Sequence, residues 1–444
     1  MIEISDRDSL AHSPSHDVAL DCIEAGIEAA NPERVIEETV SVEDGSLHVD
    51  DATYDLGAFE EVIVLGGGKA AAQVARALER VLGDVLEGGI VVTSDPVDTE
   101  RVTVLPGDHP VPSQRGVEST ERLLARAHEA DADTLVLGVI TGGGSALMPA
   151  PAEGISLEDL GNTTDMLLRS GATIHEFNAV RKHLSVSKGG QLAKALDPAT
   201  TVALILSDVV GNDLDVIASG PMVPDSSTFE DAMSVIERFD VDVPDAVMDR
   251  LVAGTEGHLE ETPKPGDPIF DRVSTHIIAD GFTALAGARD VATERGYDPL
   301  VLSSRIEGES RESAKTHAAI AAEIQATGNP VDPPAVILSG GETTVTMKGS
   351  GTGGPNQEFV LGGTLGLPED CVLAAVDTDG IDGKSDAAGG ILDRDGLDVD
   401  EARSALREND SGSYLAERDA QIVTGKTGTN VNDLRVLVVE SPDT

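Results

Sequence analysis

The chain has 444 residues, of which 40% are hydrophobic and only 2% aromatic, and this length predicts two or more domains. Its 80 acidic residues against 31 Lys and Arg give a net charge of −49. No basic stripe exists to bind the phosphates of a nucleic acid, so we exclude nucleic acid as a partner. Two distant cysteines, Cys22 and Cys371, exclude a disulfide framework and a zinc-finger pattern.

The acidic residues are dispersed among apolar segments rather than gathered in one tail. We interpret them as the surface of a folded protein adapted to a high-salt cytoplasm, because salt near 1 M shortens the screening length to about 3 Å. The N-terminus lacks a basic segment followed by an apolar run, and no stretch approaches about 18 uninterrupted apolar residues. We therefore expect a soluble, cytoplasmic protein with no membrane partner.

In the first part of the chain, short apolar runs alternate with helical patterns. Residues 16–38 predict an amphipathic helix, and residues 163–196 predict mostly helix. Strands are predicted within residues 60–65, 88–95, 132–140 and 200–206. Such alternation is typical of parallel α/β proteins.

Composition changes between residues 240 and 270, where a Pro- and Gly-rich acidic segment follows a helix. We place a domain boundary here, between residues 1–265 and residues 266–444. The second part predicts strands and helices at 274–280, 281–296, 298–304, 310–328, 334–345, 371–376 and 434–440. We therefore predict two α/β domains with mostly parallel sheets, a Rossmann-like N-terminal domain and an active site in the cleft between the domains.

A glycine turn follows the first predicted strand. Gly66, Gly67, Gly68 and Lys69 lead into an Ala-rich helix with the spacing G-x-G-x-x-A, and free N–H groups at such a helix N-terminus attract an anion. Asp95, at the end of the next strand, lies where a dinucleotide-binding fold has its ribose-binding acid. A dinucleotide site is therefore an alternative, whereas Lys69 favours a phosphate or carboxylate partner.

A second glycine turn, TGGGS, contains Gly143, Gly144 and Ser145 and ends another strand. It lacks the second glycine of the hydrolase elbow G-x-S-x-G, so we interpret it as a backbone nest for an anion. Asn178 and Arg181 lie on a later helix. The Arg181 guanidinium would grip a small carboxylate through two N–H groups.

Acidic residues follow two of the predicted strands. Asp208 and Asp379 come just after apolar runs, at the sheet edge where α/β enzymes place catalytic and metal-binding groups. The stretch around Asp379 is not a calcium loop, because Ile381 occupies a ligand position. One or two carboxylates together with substrate phosphates suit Mg²⁺. Glycine loops, a lysine and two aspartates, without a nucleophile–base pair, predict phosphoryl transfer.

These features together resemble the glycerate 2-kinases that combine an N-terminal α/β domain with a C-terminal MOFRL domain. The similarity is carried, in order along most of the chain, by GGGKAA, GDHPVPS, TGGGSALMPAP, NAVRKHLSVSKGGQLA, LSDVVGNDLDVIASGP, SGGETTV, GGPNQEF, DTDGIDGKSDAAGG and TGKTGTNVNDL. The MOFRL region would cover residues 333–440, approximately. The acidic composition suggests a haloarchaeal member.

The resemblance implies phosphorylation of D-glycerate at its 2-hydroxyl by ATP with Mg²⁺, so that glycerate and a nucleotide are the partners. The family's catalytic lysine would be Lys69. Asp208 or Asp379 would hold Mg²⁺, and the other would accept the hydroxyl proton. The expected glycerate ligands are Gly143, Gly144, Ser145, Asn178 and Arg181. The expected nucleotide ligands are Gly66, Gly67, Gly68, Gly340, Gly341, Glu342, Gly353, Gly354, Asn356 and Gln357, with Glu358 structural.

One position departs from the family pattern. Many members carry an arginine immediately before Asn-Gln-Glu, and here that position is Pro355. Arg181, Lys348 or Lys384 would supply the missing charge, or the mechanism would depend more on Mg²⁺. Two other functions stay open: an NAD(P)-dependent oxidoreductase acting on hydroxypyruvate or a related 2-hydroxy acid, and a non-catalytic nucleotide-binding protein.

Overall fold

A computed structural model describes residues 2–441. The chain forms two compact units: residues 35–278, called the central unit, and residues 2–34 together with residues 279–441, called the terminal unit. The first residues of the chain thus belong with its C-terminal half, whereas the predicted boundary at residue 265 groups them with the N-terminal domain.

The central unit follows a short N-terminal segment. That segment contains α1 (Arg7–Leu10) and α2 (Pro14–Ala29), and α3 (Pro32–Thr39) continues from it into the central unit. A three-stranded antiparallel sheet comes next, with β1 (Val40–Glu43), β2 (Ser46–Val49) and β3 (Ala52–Asp55). The remaining elements are β4 (Glu61–Gly67), α4 (Ala71–Leu82), β5 (Gly88–Thr93), β6 (Val102–Pro106), α5 (Gln114–Ala127), β7 (Thr134–Ile140), α6 (Gly144–Leu147), α7 (Leu157–Ser170), α8 (Ile174–His183), α9 (Gln191–Leu196), β8 (Thr200–Leu206), α10 (Phe229–Arg238), α11 (Asp245–Thr255) and β9 (Val273–Ala279).

The main sheet of the central unit has the order β6-β5-β4-β7-β8-β9, which is the strand order of a Rossmann fold. The strands from β6 to β8 pair in parallel. Nearly every residue of β4, β7 and β8 is buried, as expected for a parallel sheet covered on both faces. The Rossmann-like prediction is confirmed, and the strand order reverses between β4 and β7.

The strand expected to open the second domain, residues 274–280, instead forms β9 at the edge of the central sheet. Its Ser274 hydroxyl donates to the carbonyl of Thr201 at 3.4 Å and lies 2.6 Å from the Tyr54 hydroxyl. Both partners are far from β9 in sequence. The pattern of β9 predicts a strand correctly, but it cannot specify which sheet edge the strand joins.

The terminal unit contains a mixed sheet. Its elements after the N-terminal helices are α12 (Gly281–Glu294), β10 (Asp298–Glu309), α13 (Ser310–Thr327), β11 (Ala335–Thr344), α14 (Pro355–Thr364), β12 (Cys371–Asp377), β13 (Gly389–Leu392), α15 (Val399–Glu408), α16 (Ser411–Ala416), β14 (Gln421–Ile422) and β15 (Asp433–Val439). The sheet order is β10-β11-β15-β12-β13-β14. β10 pairs with β11 in parallel, while β15 is antiparallel to both β11 and β12.

Helices cover both faces of this sheet. Val336 and Leu338 of β11 belong to a core with α2 and α12, whereas Ile337 belongs to a second core with α13 and α14. This alternation follows from the two-residue period of a strand. Helix α2 is therefore one of the layers that bury the sheet, which explains why the N-terminal segment belongs to the terminal unit.

The helix expected at 16–38 is divided in the structure, and the segment expected to be mostly helical, 163–196, is formed by α7, α8 and α9 with turns between them. The segment 16–38 breaks where Asn31 accepts a hydrogen bond from the N–H of Glu33 at 3.0 Å and Pro32 begins α3, because proline favours the first position of a helix. The segment 163–196 ends one helix at Gly171 and begins another after Gly190, both with φ near +80°. Among residues 2–441, no helix combines the length and apolar character needed to cross a bilayer.

A buried histidine makes the terminal unit sensitive to acid. His317 of α13 has Nδ1 2.9 Å from the Ser313 carbonyl and Nε2 2.7 Å from the Ser339 hydroxyl, so Nδ1 donates and Nε2 accepts in the neutral ring. Burial lowers the pKa of His317 from 6.5 to about 4. Between these pH values the unfolded chain binds a proton that the folded chain does not. The free energy of unfolding should therefore fall with falling pH, by at most about 1.4 kcal/mol per pH unit from this group.

Replacing His317 with glutamine should flatten this fall between pH 6.5 and 4. The measurement is chemical denaturation across that range, with His175→Gln as the matched control, because the His175 side chain is 61% exposed. A His317→Gln profile parallel to that of the unsubstituted chain would contradict the assignment.

Candidate functional site

The central unit brings Lys69 and Asp208 together at the point where the strand order reverses. Lys69 follows β4, and its N–H donates to the carbonyl of Gly142 at 2.8 Å. A Cβ added at Gly143 would lie 3.2 Å from Lys69 Cγ, and one added at Gly142 would lie 2.2 Å from an oxygen of Asp208. These glycines leave room for both side chains, at the sheet edge where Rossmann folds bind ligands.

Asp208 is a carboxylate held among positive groups. Burial raises the pKa of Asp208 above its ordinary value, and the Lys69 charge and the N–H of Gly143 offset part of that rise. The Gly143 N–H, predicted to serve an external anion, is thus directed at Asp208. His109 also reaches this place, since a Cβ at Gly143 would lie 3.0 Å from its ring.

The N–H groups of the first glycine turn donate to other parts of the central unit. The N–H of Gly68 donates to the carbonyl of Val92 at 3.0 Å, and that of Ala70 donates to the Thr141 hydroxyl at 3.1 Å. A Cβ at Gly66 or Gly68 would lie about 2 Å from β7 or the residue that follows it. Glycine is needed for packing at Gly66 and Gly68, and a phosphate contact by Gly66, Gly67 or Gly68 stays a prediction.

The predicted glycerate ligands meet at a residue that was not singled out. The Ser219 hydroxyl donates to Asn178 Oδ1 at 3.0 Å, lies 2.7 Å from the Ser145 hydroxyl and accepts from Arg181 Nη1 at 3.4 Å. Asn178 is buried, and its Nδ2 has no hydrogen-bond partner within the described residues 2–441. Because a buried N–H group without a partner is costly, this amide is a candidate donor to a ligand. Gly144 lies in the adjoining turn.

Two cations beside this amide lack acidic partners. Among residues 2–441, neither Arg181 nor Lys188 forms an ion pair: Arg181 stacks on the Phe177 ring at 4.0 Å, and Lys188 Nζ donates to the carbonyls of Ser145 and Met148 at 2.8 and 3.3 Å. Burial and the Arg181 charge lower the pKa of Lys188 to about 7. In a chain with net charge −49, two adjacent cations without acids indicate an anion site.

A neighbouring lysine shows the contrast. Lys182 is buried, and its Nζ pairs with Asp215 and, at 3.3 Å, with Asp225. This ion pair satisfies a buried charge within the protein. Lys182 is therefore structural, although the sequence places it beside Arg181.

In the terminal unit, Asp379 belongs to a group of carboxylates at the end of β12. The N–H of Asp379 donates to Asp377 Oδ1 at 3.0 Å, and Asp379 Oδ1 accepts from the N–H of Ile381 at 2.9 Å. Burial, and then the charges of Asp379 and Asp433, raise the pKa of Asp377 well above its ordinary value. A bound cation would offset the repulsion between the neighbouring carboxylates of Asp377 and Asp379, and carboxylate oxygens are ligands that Mg²⁺ prefers. Asp208 and Asp379 lie in different units.

Asn356 and Gln357 are buried at the start of α14, where other residues accept from their N–H groups, while Asn356 Oδ1 has no hydrogen-bond partner among residues 2–441. Their N–H groups donate to Asp382 at 2.9 and 2.8 Å. Asn356 Nδ2 donates to Asp433 at 2.7 Å, and Gln357 Nε2 donates to Ser385 at 2.8 Å. A nucleotide contact by these side chains stays a prediction. Glu358 is bound to Arg311 and, at 3.2 Å, to Asn409, as expected of a structural residue.

The glycines around this segment also have close protein neighbours. Added Cβ atoms would lie 3.0 Å from the Asp433 carbonyl at Gly340 and 2.2 Å from the Ile306 carbonyl at Gly341. A Cβ added at Gly353 would lie 2.5 Å from Ser411 Oγ, and one added at Gly354 would lie 2.4 Å from Asp382. Glu342 is exposed on β11. Packing within the chain accounts for these glycines, so their approach to a nucleotide stays a prediction.

Known proteins match almost the whole chain. Residues 18–252 match a domain of unknown function, DUF4147, and residues 335–433 match the MOFRL family. A glycerate 2-kinase from Pyrococcus horikoshii is 39% identical over 439 residues, which cover 96% of this chain and 97% of that protein. The chain belongs to the glycerate 2-kinase family. A D-glycerate 2-kinase from Thermotoga maritima is 38% identical, covering 94% of this chain and 96% of that protein.

Solved structures agree with this family assignment. A crystal structure from Pyrococcus horikoshii has a TM-score of 0.85 at 38% identity and covers 96% of this chain and 98% of that chain. That of a glycerate kinase from Thermotoga maritima has a TM-score of 0.84 at 36% identity and covers 95% and 99%. A relative from Agrobacterium vitis, provisionally named a hydroxypyruvate reductase, is 40% identical over 389 residues, covering 85% of this chain and 87% of that protein.

In this member of the glycerate 2-kinase family, the proline before Asn-Gln-Glu begins a helix. Pro355 is the first residue of α14, and its carbonyl accepts from the Ser310 hydroxyl. Lys348 and Lys384 are exposed. Sequence reasoning missed the buried Arg435, which binds Asp433 beside Asn356. It also missed Ser219 and Lys188 as ligand candidates, although both lie in stretches similar to the family, IASGP and SVSKGG.

Proposed function

We propose that this protein transfers the terminal phosphoryl group of ATP to the 2-hydroxyl of D-glycerate, giving 2-phosphoglycerate. The observation that carries the proposal is a pair of basic side chains, Arg181 and Lys188, which have no acidic partner in the part of the chain that the structure describes. They lie on the same unit as Lys69 and Asp208, and they suit a small organic anion. The names of the relatives from Pyrococcus horikoshii and Thermotoga maritima support glycerate as that anion.

The glycerate carboxylate would bind to Arg181 with Lys188 beside it. A guanidinium donates two parallel N–H groups to a carboxylate. Asn178 Nδ2, buried without a partner, would donate to the same anion or to a hydroxyl of glycerate. Ser145 and Ser219, which are 2.7 Å apart, fix the Asn178 amide so that its Nδ2 stays available.

Asp208 would accept the proton of the 2-hydroxyl, and Lys69 would stabilise charge on the transferring group. A general base works best when its pKa lies near the working pH, and burial raises the pKa of Asp208. Asp379 with Asp377 would hold Mg²⁺, because their oxygens are the hard donors that this ion prefers. When bound, Mg²⁺ neutralises charge on the phosphates of ATP. The position of the active site between the domains stays a prediction.

The test is phosphorus NMR of the purified protein with D-glycerate, ATP and Mg²⁺ in molar KCl. A 2-phosphoglycerate signal is expected. A 3-phosphoglycerate signal would keep the kinase but change the phosphorylated carbon. The name of the Agrobacterium vitis relative favours hydroxypyruvate reduction as the second candidate. No phosphoryl transfer, together with oxidation of NADH by hydroxypyruvate, would replace our proposal with that reaction.

Replacing Arg181 with methionine is expected to raise the KM for glycerate about 10- to 100-fold, because a hydrogen bond to a charged group contributes about 1.5–3 kcal/mol. The turnover number should change less, since Arg181 would hold a part of glycerate that does not react. Steady-state kinetics measures both, with Arg169→Met, exposed on α7, as the control. An unchanged KM would remove Arg181 from the glycerate site.

We also infer a haloarchaeal type of protein with a cytoplasmic location. The net charge of −49 supports it, because dispersed like charges destabilise a fold at low ionic strength. Thermal unfolding in dilute and in molar KCl tests the salt adaptation. A melting temperature that does not rise with KCl would contradict it.

A further inference from the structure

Two histidines and an aspartate meet in the terminal unit, away from every group used above. His12 precedes α2, His16 lies in its first turn, and Asp393 follows β13. Asp393 Oδ2 is 3.7 Å from His12 Nε2 and 3.8 Å from His16 Nε2. One ligand atom from each residue lies within 4.8 Å of the other two. Among residues 2–441, this is the one group of three or more such side chains.

His16 is oriented as a metal ligand is. Its Nδ1 lies 2.8 Å from the Ser13 hydroxyl, which leaves Nε2 directed toward Asp393. Histidine ligands of metals usually form such a bond through the other ring nitrogen, which fixes the ring and its tautomer. The His16 side chain is only 1% exposed, so this orientation is built into the fold.

We propose that His12, His16 and Asp393 bind a divalent transition-metal ion, with Zn²⁺ as the best match. Two imidazoles and one carboxylate form a donor set typical of Zn²⁺. Ligand atoms at about 2.0–2.2 Å from a tetrahedral ion lie about 3.3 Å from one another. The two separations from Asp393 Oδ2, 3.7 and 3.8 Å, exceed this by about half an ångström, which small rotations of the Asp393 and His12 side chains would close.

A simple ion pair explains this group less well. Such a pair needs a protonated imidazole, but the His16 side chain is only 1% exposed, and a charge is costly to bury there. The two rings also lie 3.8 Å apart, where two imidazolium charges would repel each other. A cation bound between the rings and the carboxylate removes this conflict.

The site has room for an ion and for the water that would complete its coordination. The three residues line a pocket of about 630 Å³, together with Asp395 and Tyr414. The His12 side chain is 59% exposed, which gives the ion a path from solvent.

This ion would act on structure rather than on phosphoryl transfer. Leu392, next to Asp393, pairs with Leu373 of β12, whereas Gly389 pairs with Val376. Asp393 therefore lies toward the end of β12 that is opposite to Asp377 and Asp379. The ion would tie the start of α2 to β13 and so fasten the N-terminal segment to the MOFRL sheet.

The test is equilibrium dialysis of the untagged full-length protein, freed of metal by a chelator, against Zn²⁺. About one equivalent of Zn²⁺ should bind with micromolar or tighter affinity, and the melting temperature should rise with it. Replacing the cation with Co²⁺ should give the visible absorption of a four-coordinate site. Mg²⁺ should not compete, because it prefers oxygen ligands.

The variants His12→Gln and Asp393→Asn should each weaken Zn²⁺ binding at least about 10-fold, since loss of even an outer partner costs that much. His12 is exposed, so His12→Gln leaves the fold intact and keeps the test valid. The control His258→Gln, whose side chain is 71% exposed, should bind Zn²⁺ as the unsubstituted chain does. Absence of stoichiometric binding, or equal binding by His12→Gln, would overturn the proposal.

Discussion

Replacing Lys69 with methionine is expected to lower the turnover number for phosphoryl transfer to glycerate at least about 10²-fold, because removal of one preorganised charge stabiliser costs that much. The Lys69 stem lies along Gly143, and its charge acts on Asp208. Methionine preserves the contact of the stem but removes the ammonium. The thermal stability of the variant should change little, since Lys69 is only half-buried.

The measurement is steady-state kinetics with saturating ATP and glycerate. Lys194→Met is the matched control, because Lys194 lies on α9 with its side chain 42% exposed and paired with Glu260. Normal turnover by Lys69→Met would remove Lys69 from the catalytic residues. Equal losses in both variants would point to a general effect of lost positive charge.

Replacing Asp208 with asparagine is expected to separate activity from stability. Turnover should fall about 10²- to 10⁴-fold, the usual contribution of a general base. Since burial raises the pKa of Asp208, the folded chain holds a proton at pH values where the unfolded chain has lost it. The free energy of unfolding therefore falls as pH rises from the ordinary pKa of an aspartate to the raised pKa of Asp208. At pH 7 the variant should be as stable as the unsubstituted chain, or more stable.

Denaturant unfolding at several pH values and steady-state kinetics test both halves of this expectation. Asp51→Asn, on an exposed turn, is the control for loss of one negative charge. A variant with full activity would exclude Asp208 as the base. A variant that loses stability at pH 7 would show instead that Asp208 holds the Gly143 turn in place.

The strands could be predicted from the sequence because the apolar pattern of each strand lies within a few consecutive residues. The runs that form β4, β7 and β8 are apolar, and glycine or aspartate follows each within two residues, which was enough to infer a Rossmann-like sheet and a site at its edge. The hydrogen-bond acceptors of the Gly68 and Ala70 N–H groups could not be predicted from such local patterns. Their acceptors are Val92 in β5 and Thr141 just after β7, which lie 24 and 71 residues further along the chain.

The terminal unit shows the same limit more strongly. Asn356 and Gln357 ended a glycine-rich stretch and were expected to face a ligand. The acids that bind Asn356 lie 26 and 77 residues further along the chain. No local pattern predicts such partners. For the same reason, the pairing of Ser219 with Asn178, which lies 41 residues away, emerged only from the fold.

Helix α2 has a consequence for the order in which this chain is made. During synthesis α2 emerges before the central unit, residues 35–278, whereas its partners α12 and β15 emerge after it. Until then Leu20, Ile23 and Ile27 have no native surface to bury them, and exposed apolar faces favour aggregation. The central unit is therefore an insertion between the two segments of the terminal unit. We expect it to fold on the ribosome before residues 2–34 and 279–441 pack together. A fragment that begins at residue 279 would lack a layer of its core, whereas residues 2–34 joined to residues 279–441 would restore it.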